Sequence, residues 1–377
     1  MSYYILPKYS NEFITIEPTY SDELTMNTII NPSLIYYLNN ILLQLNNPVF
    51  LSEFIKINGL ISSYKYIYSK IPTYNICISK LNLSSVSYIY IELIQLCNLL
   101  ENMNTNASIT CININNFLFS EVLQYYKNDE VLHHNFTDLN TNLPTMNDAD
   151  IINIDLSDTF THFNDYIISI CNSLCYIFKN QKQGGVSIIK IDHLFYKPII
   201  DILFILNSSY EKIYIVKPNT SSIIKNELYI VCKTFKILPI DVSKLQDLNP
   251  TSIISSLICD KIPFYFLNKI EEANIIIYHQ KIQYIDQISN ILINNTKMET
   301  IKKNNIQKCI LWCEKYKIPA NKITDKVNIF LHSPVEEIFE IDNIEPINIR
   351  TLINPDELDI STFSKQYELL KIFNMID

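Results

Sequence analysis

The chain has 377 residues, 48% hydrophobic and 18% charged, with a formal net charge of −9. That balance excludes a disordered polyelectrolyte and a uniformly basic surface, although a local basic groove remains compatible with it. No apolar run reaches the roughly 18 residues of a membrane span, and the opening stretch MSYYILPKYSNEF lacks the layout of a secretion signal, so a cytoplasmic protein with no membrane partner is expected.

In chain order, residues 32–47 (PSLIYYLNNILLQLNN) repeat apolar side chains at helical spacing, within an otherwise irregular start. Strand-like runs follow at 74–79 (YNICIS), 107–115 (ASITCININ), 149–156 (ADIINIDL), 184–191 (GGVSIIKI), 212–218 (KIYIVKP) and 227–235 (ELYIVCKTF). Helical patterns at 160–181 and 195–209 separate several of them. Apolar strands alternating with helices are buried on both faces, which predicts an α/β fold around a mostly parallel sheet. The last two runs are joined by only eight residues, NTSSIIKN. That is too short for a parallel crossover, so the sheet should end in an antiparallel hairpin.

The chain holds three glycines, two of them side by side at 184–185. The skew towards Ile, Asn, Tyr, Lys and Ser is that of A/T-rich coding, and a doublet surviving it implies a turn that a Cβ would obstruct. Beyond 241 the strand signal fades into helical patterns, interrupted by Pro263 and ended by Pro319, before an irregular acidic tail. The expected organisation is a helical extension over 1–55, an α/β domain over 56–240, and a helical appendage with a tail over 241–377.

Nine cysteines without a CxxC fit reduced thiols. Cys171/Cys175 and Cys309/Cys313 are spaced to share a helix face; their apolar neighbours favour burial over half of a metal site. His133 and His134 lie in a polar stretch and are expected to face solvent. No zinc site, P-loop or nucleophile elbow is present.

Three polar side chains interrupt or bound the apolar runs: Asp155, Lys190 and Glu227. In an open α/β sheet the functional crevice lies at the carboxyl ends of the parallel strands. The last strand runs the other way, so its first residue reaches that same end and the three groups can converge. Two readings follow: a structural ion cluster, or a lysine tuned by carboxylates to act on a weakly acidic hydroxyl.

The stretch GGVSIIKI…KIYIVKPNTSSIIKNELYIVCKTF resembles the FtsJ-like RNA ribose 2′-O-methyltransferases, especially the cap-1 type and large-DNA-virus members. The similarity is in the Gly-Gly turn before a lysine-bearing strand, Lys217-Pro218, and the hairpin strand from Glu227 to Cys232. It implies a Rossmann-like methyltransferase fold with helical N- and C-terminal additions, S-adenosylmethionine as donor, and RNA, possibly capped mRNA, as partner. Lys190 falls on the catalytic lysine, Glu227 on the glutamate and Asp155 on the aspartate joining them. For the family's second lysine, Lys56 is the candidate and Lys65 the rival.

On the same resemblance the first strand is 74–79, and the donor loop after it holds Lys80 where an acidic residue is frequent, and Ser84 and Ser85 where glycines are usual. Asn113, at the end of the next strand, stands for the acid that grips the donor's ribose; Asp155 borders the same pocket. The hairpin has Ser221-Ser222 in place of Ser-Arg. Lys80, Lys182, Lys217 and Lys225 are candidate RNA contacts, and the helices beyond 241 a candidate docking surface for a partner protein. If viral, the protein would work in the host cytoplasm or virion. The alternatives are a catalytically inactive methyltransferase-fold subunit and an unrelated α/β protein.

Overall fold

The computed structural model describes residues 2–9, 14–21, 30–45, 48–67, 85–101, 107–112, 116–127, 132–136, 148–156, 162–237, 240–294 and 298–319. The strands are β1 (Ser2–Ile5), β2 (Ile16–Ser21), β3 (Ser108–Ile112), β4 (Leu132–Phe136), β5 (Ala149–Asp155), β6 (Gln181–Ile191), β7 (Tyr210–Lys217), β8 (Leu228–Phe235) and β9 (Ile253–Ile258). The helices are α1 (Pro32–Leu45), α2 (Pro48–Ile61), α3 (Ser85–Leu96), α4 (Asn116–Lys127), α5 (Phe163–Asn180), α6 (Lys197–Ser209), α7 (Phe264–Asn294) and α8 (Met298–Lys315).

Seven strands make one sheet in the order β1-β7-β8-β6-β5-β3-β4, with β3, β4, β5 and β6 parallel and β8 antiparallel to both β6 and β7. This is the expected Rossmann-like α/β architecture, a parallel sheet closed by a β7–β8 hairpin. One sheet face packs Ile152, Ile154, Ile189, Ile191 and Ile230 against α1, α2, α5, α6 and α7. The other packs Ile109, Ile151, Ile188 and Val231 against α3, α4 and α8. Burial on both faces explains why the strands read as apolar runs rather than alternating ones.

A second, two-stranded sheet pairs β2 with β9. Asp201 on α6 ties it to the main layer. Its buried carboxylate accepts the Leu257 backbone N–H and the Ser256 hydroxyl, each at 2.8 Å, and pairs with Lys197.

Three sequence expectations change. The irregular start supplies β1, which adds to the edge of the main sheet beside β7, and β2. The fading strand signal after 241 conceals β9, and Pro263 precedes α7 rather than interrupting a helix. His133 and His134 lie on β4, opposite Ile109 and Thr110. The pairings of β1 with β7 and of β2 with β9 cut across divisions at 55 and 240. The run at 74–79 and the tail beyond 319 fall outside the described residues. Cys171, Cys175, Cys309 and Cys313 are all buried, as the helix-face reading expects, and no metal-binding cluster occurs among the described residues.

β3 occupies the place expected of the first strand. It pairs directly with β5 on one side and with β4 on the other, so no strand lies between β3 and β5. From β3 the chain moves outward to β4, then returns past β3 to β5. That reversal puts the crevice of the fold at the carboxyl ends of β3 and β5.

The glycine doublet lies inside β6, in a bulge: Ala149 opposes Gln181, but Ile151 already opposes Val186. Gly184 has φ of +82°, a conformation that side chains resist. A Cβ on Gly185 would meet the Lys182 and Asp150 carbonyl oxygens at 2.9 and 3.0 Å. It would also collide with the Gln181 amide, which is held by the Ala149 carbonyl at 2.7 Å. Gly185→Ala should therefore lower the unfolding free energy by about 1–3 kcal/mol, measured as the urea midpoint; an unchanged midpoint would show that the bulge has room to spare.

Candidate active site

Strand register alone brings the three groups together. Lys190 pairs with Asp155 on β5 and with Tyr229 on β8. Paired residues face the same side of a sheet, and so does a residue two positions along a strand. Glu227, two before Tyr229, therefore joins Asp155 and Lys190 on the α3/α4/α8 side at the carboxyl edge of β5 and β6. The Lys190 Nζ lies 3.3 Å from an Asp155 carboxylate oxygen and 3.4 Å from one of Glu227. Lys190 is only 8% exposed, so its charge survives because two acids offset the lost hydration.

The loop that delivers Glu227 is pinned from within and from below. Within, the Lys217 ammonium donates to the Ser222 and Lys225 carbonyls at 2.8 and 2.9 Å, and the Ser221 hydroxyl to the Pro218 carbonyl at 2.8 Å. Below, the Thr220 backbone N–H and hydroxyl donate to Glu92 at 3.1 and 3.0 Å. Glu92 sits on α3 with no exposed surface. Burial pushes its carboxyl pKa up, while the donors from Asn219 and Thr220 oppose the shift. The Tyr316 hydroxyl, just past α8, reaches the other Glu92 oxygen at 3.4 Å. An open notch of about 260 Å³ lies beside the loop, lined by hydroxyls and amides including Asn58, Ser62, Ser63, Thr220 and Ser221.

Of the residues singled out from sequence, Asp155, Lys190 and Glu227 meet. Lys56 does not join them: its ammonium pairs with Glu53 one turn back on the outer side of α2, at 2.6 Å. Lys65 donates to the Gly59 carbonyl and lies over the Tyr66 ring. Lys182 stands at the opposite end of β6 from Lys190, paired with Asp150 at 3.1 Å, and so is not among lysines at the carboxyl edge. Ser85 is the first residue of α3 and exposed. Lys80, Ser84 and Asn113 fall outside the described residues.

Two cationic neighbours were underweighted. Lys217, read as part of the hairpin signature and as an RNA contact, lies within electrostatic reach of Lys190 and Glu227. Lys281 on α7, not singled out at all, donates to the Asn226 side-chain carbonyl at 2.5 Å. The overlooked signal was periodicity. Phe266, Ile270, Ala273, Ile277, Tyr284, Ile288 and Ile291 form the buried stripe of α7, and Lys281 falls on that stripe.

Residues 95–235 match the FtsJ-like methyltransferase family. Over that segment the chain is similar to the FtsJ-like methyltransferases. The matched segment spans β3 to β8 and contains Asp155, Lys190, Lys217 and Glu227; it begins beyond Lys80, Ser84 and Ser85, consistent with β3 as first strand. The match supports methyl transfer as the activity and S-adenosylmethionine as the donor. No curated protein matches the chain. A solved structure described as a putative class I S-adenosylmethionine-dependent methyltransferase from Listeria monocytogenes is similar at 10% identity, covering 64% of this chain and 97% of that one with a TM-score of 0.28. So slight a likeness adds nothing to what the strand order establishes. No described helix is long and apolar enough to cross a membrane.

Withdrawal from water pulls the Lys217 pKa down to about 8; Glu227 opposes the shift, and Lys190 and Lys225 add to it. Between that value and the ordinary lysine range, the unfolded chain holds a proton that the folded one has lost, so Lys217 adds stability as pH rises through the window. Wild-type stability relative to Lys217→Met should increase from pH 8 to pH 10 in urea titrations, and a constant difference would contradict the depressed value.

Proposed function

We propose that the protein transfers a methyl group from S-adenosylmethionine to a ribose 2′-hydroxyl of RNA, with capped mRNA as the favoured substrate. The observation that carries this reading is the Lys190 ammonium held between Asp155 and Glu227 at 3.3 and 3.4 Å, at the crevice edge of an FtsJ-like sheet. The choice of cap over other RNA rests on the likeness of the Lys217–Cys232 hairpin to cap-1 type enzymes.

The donor supplies an electrophilic methyl on a sulfonium. The chain's residues do the rest. The crevice between the ends of β3 and β5 offers the place for the donor, with Asp155 at its rim. Lys190 holds the ribose hydroxyl so that its oxygen points in line at the methyl carbon. As the O–C bond forms and the C–S bond breaks, the hydroxyl proton passes to a flanking carboxylate, while the Lys190 ammonium stabilises the charge developing on the oxygen. Most of the acceleration comes from this positioning, with proton removal contributing about 10²–10⁴-fold. Hydroxyls lining the notch beside the 219–223 turn suit contacts to sugar and base edges.

A second reading, a catalytically inactive subunit that binds RNA or a partner enzyme, is favoured by one feature. The segment after β3, Asn113-Ile114-Asn115-Asn116, contains no glycine for close backbone approach to a donor.

Donor at 100 times its dissociation constant should stabilise the fold by about 2.7 kcal/mol, read as a rise in melting temperature. Lys190→Met should keep that rise while losing RNA methylation by at least about 10²-fold. Wild-type protein that shows neither the rise nor transfer to capped RNA supports the inactive subunit instead.

A further inference from the structure

Lys281 lies on the buried stripe of α7, at 2% exposure. A methionine there would be cheaper for stability, because a buried ammonium must recover its hydration from fixed partners. Those partners belong to the site. The Nζ donates to Asn226, the residue before Glu227, at 2.5 Å. Burial and the like charge of Lys217 push the Lys281 pKa well below the ordinary lysine range, and Asp192, two residues past Lys190, opposes that shift. The Tyr278 ring, one turn back on α7, stands 5.7 Å from the ammonium. α7 is itself held in place at that level: Asn274 donates to the Leu194 carbonyl at 2.9 Å, and the Phe195 and Tyr278 rings are 4.6 Å apart.

We infer that Lys281 is a positioning residue of the reaction centre, through which helix α7 clamps the start of β8 and the end of β6 and so sets the distance between Glu227 and Lys190. This inference rests on the methyl-transfer reading of the same site. It gives α7 a part in catalysis, where the sequence beyond 241 suggested an appendage. The groups of the centre then come from five elements: Asp155 on β5, Lys190 on β6, Lys217 on β7, Glu227 before β8 and Lys281 on α7. Removing the Lys281 amine takes away the donor to Asn226 and lets the loop before Glu227 relax.

The test compares Lys281→Met, which keeps length and volume, with Lys281→Arg, which keeps an N–H donor towards Asn226. Methylation kinetics on capped RNA and the pH-dependent acylation of Lys190, followed by mass spectrometry of the labelled peptide, are both measured. The Met variant should lose roughly 10- to 100-fold in kcat with little change in the donor KM. Its Lys190 acylation inflection should move to lower pH, because Glu227 is no longer held beside the Lys190 ammonium. The Arg variant should restore the inflection and part of kcat. A Met variant that melts lower but keeps wild-type kcat and Lys190 inflection would make Lys281 a structural residue and overturn the inference. Should the wild type transfer no methyl group, the methyl-transfer reading falls, and the Lys190 inflection in the two variants still decides whether Lys281 tunes the centre.

Discussion

A lysine at the end of a central strand, sealed between two helical layers, is the constraint around which the site is organised. Its ammonium can stay charged there only if carboxylates replace the water it has lost. Asp155 comes from the neighbouring parallel strand by simple register. Glu227 can come from the other side only because β8 runs antiparallel, so that its first residue reaches the same edge as the last residues of β5 and β6. The hairpin is therefore a requirement of the chemistry.

Holding Glu227 steady is a larger task than presenting it. The loop before it spans Pro218–Asn226 and would be loose by itself. Lys217 closes it from inside through two carbonyls, Glu92 accepts its amide and hydroxyl from beneath, and Lys281 reaches its last residue from α7. Each brace is an ionisable group removed from water, which costs stability and returns a defined geometry. Burial raises the Glu92 pKa and lowers those of Lys217 and Lys281, the direction expected when desolvation outweighs compensation.

The regions outside the central sheet segment contribute directly. β1 adds an edge strand beside β7, α7 delivers Lys281, and Tyr316 beyond α8 completes the partners of Glu92. A truncated α/β core would lack the contacts that fix the hairpin loop.

Much of this was legible in the residues. Apolar runs between helical patterns announced a parallel sheet, the eight-residue NTSSIIKN connection required a hairpin, and polar interruptions at Asp155, Lys190 and Glu227 marked the site, because all three are local patterns. Tertiary structure decided the rest. β1 and β9 are short and weakly patterned, and each becomes a strand only by pairing with a partner over 200 residues away. β3 takes the first-strand place beside β5 through its neighbours, which composition cannot reveal. Lys56 looked as suitable as any lysine until its partner on α2 was known. Lys281 carried a readable hint, a charge on an apolar stripe, but only packing shows that its ammonium ends beside Asn226. Sequence spacing determines which residues share a strand or helix face; which faces meet depends on burial and charge compensation across the whole fold.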